Sequence, residues 1–197
     1  MPDQQQFEQG LRRILWALRD YLDDLMVIGG WVPHLYRRYG GFAEWRSDLS
    51  RTAEVDVLVP ATLVPGGRPL VSALLHDAGF RPATEGNSAA VWENDPATGE
   101  RIEFLVQHQG TARQIGRPRS LLGQERLAAI PLTDMDLMMR HTTTLHIPVT
   151  IASGESVLAV RVPTLGAYIA TKATTFAKRQ PVLVEGRAST NPKAAKD

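Results

Sequence analysis

The sequence predicts an α/β (α+β) fold, and two patterns of apolar residues carry that prediction. Between Phe7 and Leu25 apolar residues recur every three or four positions, which is the stripe of an amphipathic helix. In RTAEVDVLVP, residues 51–60, valines alternate with acids as in a β-strand, and Pro60 ends the pattern. Because both patterns recur along the chain, we expect a sheet flanked by helices.

Turn residues divide the rest of the chain into further elements. LMVIGGW, residues 25–31, predicts a strand that ends in a Gly29-Gly30 turn, followed by a helix with Pro33 in its first turn. A helix from Leu70 should end at Gly79. The other predicted elements are strands at 79–86, 88–95, 100–107 and 125–131, a helix at 132–141 capped by Thr133, two strands within 145–163, and a helix at 164–180.

Composition limits the class of protein. The 197 residues, 43% of them hydrophobic and 22% charged, are enough for one main core and are typical of folded proteins. Lys and Arg total 22 against 21 Asp and Glu, so net charge gives the chain no general attraction to nucleic acid or membrane. The lack of cysteine excludes disulfides and thiolate zinc sites and fits a cytoplasmic location. No signal peptide or membrane span is predicted, so a soluble protein without membrane contact is expected.

Three acids and a glycine pair carry the predicted chemistry. Glu54 and Asp56 project from the face of their strand opposite the valines, where two carboxylates repel each other and a divalent cation would compensate. Glu103, on a later strand, adds a third acid, and three carboxylates suit one or two Mg²⁺ ions. Gly29 and Gly30 lack Cβ atoms, so backbone N–H groups can approach a triphosphate at the start of a helix. These features suggest metal-dependent phosphoryl or nucleotidyl transfer.

The motifs VIGGW, AEVDVLV and IEFLV resemble the signature of the nucleotidyltransferase superfamily related to DNA polymerase β. In that signature hG[GS] is followed by [DE]h[DE]h and a separated third acid. Within the superfamily the chain looks most like the bacterial abortive-infection (AbiEii-like) group, many of which are toxins of toxin–antitoxin pairs. The resemblance implies a nucleotidyltransferase-like mixed sheet, two Mg²⁺ ions held by Glu54, Asp56 and Glu103, and NTP phosphates bound by Gly29 and Gly30.

The resemblance also implies the reaction. An acceptor hydroxyl would attack the α-phosphate of an NTP and release pyrophosphate, with Glu103 helping to deprotonate the hydroxyl. A tRNA end, a protein hydroxyl and a small molecule all stay open as the acceptor. An antitoxin protein is an expected partner.

A lysine helix extends the resemblance towards the end of the chain. KATTFAKR, residues 172–179, is similar to a motif of the group, which assigns Lys172 to the nucleotide phosphates. The final KAAKD matches the start of another motif, so either the chain is truncated there or the match is fortuitous. We expect a nucleotidyltransferase-like core at 1–162 and the start of a C-terminal helical region at 163–197.

Simpler interpretations remain open. Glu54 and Asp56 also fit the solvated face of an ordinary strand, Glu103 an edge strand, and Lys172 a solvated helix position. Other charged residues fit a helix start or an exposed loop that could hold phosphate: Asp134, Asp136, Arg113, Arg117 and Arg119. The alternative function is a catalytically degenerate nucleotidyltransferase fold that binds a nucleotide or a protein partner.

Overall fold

The computed structural model describes residues 4–42, 54–83, 89–94, 99–109, 115–151 and 154–184. The helices are α1 (Gln4–Ala17), α2 (Trp31–Tyr39), α3 (Val71–Asp77), α4 (Asp136–Arg140) and α5 (Leu165–Val184), with a 3-10 helix at Arg19–Tyr21. The strands are β1 (Met26–Ile28), β2 (Glu54–Val59), β3 (Arg81–Pro82), β4 (Val91–Glu93), β5 (Arg101–Gln107), β6 (Arg119–Ser120), β7 (Ala128–Leu132), β8 (Thr142–Ile151) and β9 (Gly154–Pro163).

A mixed sheet of seven strands forms the centre of the fold and confirms the predicted α/β (α+β) class. β5 is its central strand. It pairs along one edge with β2, in parallel, and along the other edge with antiparallel β4 and then parallel β7. β1 is antiparallel to β2 at the outside of the sheet. The two strands that carry the predicted acids, β2 and β5, are therefore direct neighbours.

The two faces of the sheet differ in chemistry. The valines of β2 point to one face, where residues of α1, α2 and α3 cover them in the main core. The acids of β2 point to the opposite face, as the alternation predicts. We call this second face the acid face. It also carries a smaller apolar cluster, formed by Met26, Ile28, Leu58, Leu105, Met135 and Met138.

The first helix is shorter than predicted. The apolar stripe predicts one helix to Leu25, but α1 ends at Ala17 and a 3-10 turn follows. Tyr21 explains the break, because its side chain is fully buried and its hydroxyl donates a hydrogen bond to the Pro69 carbonyl at 2.8 Å. A tertiary contact thus overrides the helical periodicity and turns the chain towards β1.

Two predictions in the region of β6 to α4 are also wrong. Thr133 does not cap a helix: α4 begins at Asp136, and the Thr133 hydroxyl donates to the Asp134 carboxylate at 3.0 Å. The positive φ of Asp134, 64°, interrupts the helical path there. The segment read as an exposed loop up to residue 120 ends in β6, where Arg119 pairs with β7, whereas Arg117 is exposed.

A long hairpin and α5 complete the fold. β8 and β9 pair antiparallel over their full lengths, as the two predicted strands suggest. Tyr36 of α2 donates a buried hydrogen bond to the Pro163 carbonyl at 2.9 Å, which ties α2 to the chain just before α5. In the described part of the chain, no helix combines the length and apolarity needed to cross a membrane.

Some predicted features lie outside the described residues. They are the first three residues of RTAEVDVLVP, residues 84–86, 88 and 95 of two predicted strands, Arg113, and the terminal segment from residue 185, with its KAAKD match.

Candidate metal centre

The structure brings the three predicted acids together. Glu54 and Asp56 lie on the acid face of β2, and Glu103 is the register partner of Asp56 on β5. One carboxylate oxygen from each of the three lies within 4.8 Å of the others. Strand pairing produces this grouping, because parallel partners in adjacent strands point to the same face.

The cluster suits a hard divalent cation. Oxygens bound to one Mg²⁺ ion lie up to about 4 Å apart, since each Mg–O distance is about 2.1 Å. The 4.8 Å grouping is only slightly wider, so small side-chain rotations would bring the oxygens to one ion. Glu103 is 7% exposed, whereas Glu54 and Asp56 are half-buried, so the cluster opens to solvent on the β2 side. The donor set therefore fits Mg²⁺ or a similar cation.

Gly29 makes room for one of the acids. It follows β1, whose last residue, Ile28, is the register partner of Asp56. A Cβ atom at Gly29 would overlap the Asp56 carboxylate, at 2.7 Å from Cγ and 2.9 Å from Cβ, and its φ of +71° also favours glycine. Gly30 has ordinary helical angles, φ −64° and ψ −20°, at the start of α2. Gly29 thus has a packing role that the sequence did not predict, and the phosphate-binding role of the glycine pair stays a prediction.

α5 reaches the acid face through Tyr168. That side chain packs against both the main core and the apolar cluster of the acid face. Lys172 lies one turn later, on the same side of the helix, and is half-buried. Its assignment to nucleotide phosphates stays a prediction.

Two charged residues beside the acids were missed by the sequence analysis. Arg101 of β5 lies with its Nε 3.9 Å from Glu54 Oε1 and an Nη 3.9 Å from Glu93 Oε1. A signal existed in the sequence: Arg101 precedes Glu103 by two positions, so the alternation of a strand places both on one face.

Among the described residues, Asp134 and Asp136 are not part of the acid cluster. Asp136 accepts a hydrogen bond from the Gln107 amide at 2.6 Å. Within the described ranges, no histidine belongs to a group of three or more possible metal ligands.

Comparison with known proteins gives the family. No curated protein and no solved structure matches the chain. A family model described as nucleotidyltransferase matches residues 10–197, a range that includes the glycine turn, the acid strands and α5. The family model does not identify the AbiEii-like group, so membership of that group stays a prediction. Since the model covers nearly the whole chain, the protein belongs to this nucleotidyltransferase family.

Proposed function

We propose that the protein transfers a nucleoside monophosphate from an NTP to an acceptor hydroxyl, with divalent metal held by Glu54, Asp56 and Glu103. The grouping of their oxygens within 4.8 Å, in a chain of a nucleotidyltransferase family, is the observation that supports this proposal. Phosphoryl-type transfers depend mainly on positioning and charge neutralisation. A metal held by three carboxylates on neighbouring strands would supply both the positioning and the charge neutralisation.

Each acid has a proposed role. Glu54 and Asp56, on the more open side of the cluster, hold the metal that also binds the NTP phosphates. Glu103, the most buried acid, orients the acceptor hydroxyl and accepts its proton. Bound Mg²⁺ supplies charge neutralisation for the phosphates. The hydroxyl oxygen forms a bond to the α-phosphorus while the bond from that phosphorus to the pyrophosphate oxygen breaks, so pyrophosphate leaves.

The triphosphate is proposed to lie between the start of α2 and α5. Backbone N–H groups at Gly29 and Gly30 belong to the positive end of α2, which favours phosphate charge. Lys172 supplies a positive charge from α5. The acceptor is an RNA end, a protein hydroxyl or a small molecule, and a toxin role with an antitoxin partner follows from the AbiEii-like resemblance.

A labelling experiment tests the proposal. The purified chain is incubated with each of the four NTPs, labelled at the α-phosphate, together with total RNA, a protein extract or a small-molecule fraction, with and without Mg²⁺. We expect Mg²⁺-dependent transfer of label that is lost in Asp56→Asn and kept in Asp77→Asn, a matched control at an exposed position of α3.

Binding separates the proposal from its alternative. Mg²⁺-dependent stabilisation by an NTP, with no transfer to any acceptor, would favour the catalytically degenerate interpretation. Transfer that is unchanged in Asp56→Asn would contradict the proposed site.

A further inference from the structure

We infer that Arg101 and Glu93 set the affinity of the acid cluster for divalent metal. Arg101 is a positioning residue, because its guanidinium competes with the metal for the Glu54 carboxylate. The inference rests on the proposed metal site and adds two residues to it. It gives Arg101 the role of a counter-ion when metal is absent.

The inference begins with a row of side chains across three strands. Arg101 of β5 is the register partner of Glu54 on β2 and also of Glu93 on β4. All three lie on the acid face, because register partners share a face and Arg101 precedes Glu103 by two residues. The order across the sheet is therefore acid, guanidinium, acid, and the first acid belongs to the metal cluster.

The contacts within this row are loose. Both Arg101 contacts measure 3.9 Å, longer than a hydrogen bond between charged groups. The side chains are 44% exposed for Arg101, 40% for Glu93 and 28% for Glu54. Ion pairs at this distance between partly exposed side chains are weak, although the Glu54 Oε1 atom itself is buried. Arg101 can therefore leave Glu54 without the sheet changing.

Charge balance gives Arg101 and Glu93 opposite effects on metal affinity. The positive charge of the guanidinium offsets the repulsion among the acids when metal is absent. When a cation binds Glu54, the same charge repels it. Glu93 lies on the far side of the guanidinium, where it offsets this repulsion and offers Arg101 another partner. Removing Arg101 should strengthen metal binding, and removing Glu93 should weaken it.

The test is a titration with Mn²⁺ alone, in which free Mn²⁺ is measured by electron paramagnetic resonance at low ionic strength. We expect Arg101→Gln to tighten Mn²⁺ binding about fivefold and Glu93→Gln to weaken it about fivefold, because a unit charge near the ion acts across partly screened solvent. Arg101→Lys keeps the charge and should stay within about twofold of the unsubstituted chain. The double substitution Arg101→Gln with Glu93→Gln removes one charge of each sign, so its Mn²⁺ affinity should lie between those of the two single variants.

Arg13→Gln is the matched control. Arg13 of α1 pairs with Glu100 at 3.1 Å, so this substitution also removes one arginine from a partly exposed ion pair. Glu100 contacts the α1 side of the sheet, near Gly10, and thus lies away from the acid face. Mn²⁺ affinity should be unchanged in this variant.

The outcomes separate this inference from the proposed function. If the unsubstituted chain binds Mn²⁺ and the two glutamine variants shift in the same direction, or neither shifts, the inference is overturned and the metal site stands. If neither the unsubstituted chain nor Arg101→Gln binds Mn²⁺, the metal site and the inference both fail. Tighter Mn²⁺ binding in Arg101→Gln and weaker binding in Glu93→Gln, with both shifts decreasing as salt is added, would support the inference.

Discussion

Gly29 and Asp56 contact each other so closely that glycine is required beside this acid. The missing Cβ of Gly29 would lie 2.7 Å from Asp56 Cγ, and the φ of Gly29 is +71°. The acid cluster therefore depends on a residue of the turn after β1 that has no side chain of its own. Because Gly29 has no side chain, the turn before α2 can pass directly beside the Asp56 carboxylate.

Gly29→Ala should reduce both stability and metal binding. The left-handed backbone costs about 1–3 kcal/mol for a residue with a side chain. The new methyl group must also move the Asp56 carboxylate away from the carboxylates of Glu54 and Glu103. Urea unfolding and Mn²⁺ titration would measure the two effects.

The control for Gly29→Ala is Gly166→Ala, in the first turn of α5. A Cβ atom there meets nothing within 4 Å. We expect unchanged or slightly higher stability, because alanine favours a helix by up to about 1 kcal/mol over glycine. Full Mn²⁺ affinity in Gly29→Ala would contradict the packing role of this glycine.

The sequence predicted the acid face but not the way it is supported. Alternation along β2 was sufficient to place Glu54 and Asp56 together, because it is a local property of a strand. The proximity of Glu103 also required β5 to lie parallel to β2 in one particular register, which no local pattern specifies. The sequence indicated that Glu103 lies near the other two acids only through the resemblance to the family signature, in which the three motifs follow one another in this order.

The features that the sequence did not predict depend on contacts between distant segments. The end of α1 follows from the burial of Tyr21 and its hydrogen bond to Pro69, 48 residues later. The role of Gly29 follows from the pairing of β1 with β2. The position of Arg101 between two acids follows from the pairing of β5 with both β2 and β4. Helical periodicity and capping rules describe neighbours in sequence, so they cannot supply these contacts.

Glu103→Gln should make the metal-free protein more stable and weaken its metal binding. Without metal, three grouped carboxylates repel one another, and the amide removes one negative charge with little change in shape. We expect a gain of about 1–2 kcal/mol in the free energy of unfolding, because Glu103 forms two repulsive charge pairs and each is worth about 1 kcal/mol at this separation in water. Urea unfolding with and without Mn²⁺ measures both effects. Glu125→Gln, at an exposed position, should change neither.

Tyr36→Phe should destabilise the protein by about 1–3 kcal/mol at neutral pH, because the Pro163 carbonyl loses its buried donor. Burial raises the pKa of the Tyr36 hydroxyl above its ordinary value. The pKa of a tyrosine in the unfolded chain is about 10, so the neutral hydroxyl stabilises the fold fully below about pH 10. This contribution is lost as the pH rises through the higher pKa of Tyr36 in the folded state. The stability difference between the two proteins should narrow above pH 10 in urea unfolding measured from pH 7 to 11. A constant difference would contradict the role of this hydroxyl.

Tyr168→Ala should separate nucleotide binding from metal binding. Tyr168 is the α5 residue that packs against both apolar clusters, whereas the acids lie on β2 and β5. Loss of the ring should loosen α5 from the acid face and move Lys172, so we expect weaker stabilisation by an NTP with Mg²⁺ but unchanged affinity for Mn²⁺ alone. The neighbouring Ile169→Ala is the control, because that side chain is 55% exposed and its loss should leave both unchanged. If Tyr168→Ala weakened Mn²⁺ binding as strongly as nucleotide binding, α5 would be supporting the acids themselves, and the assignment of Lys172 to the phosphates would lose its structural basis.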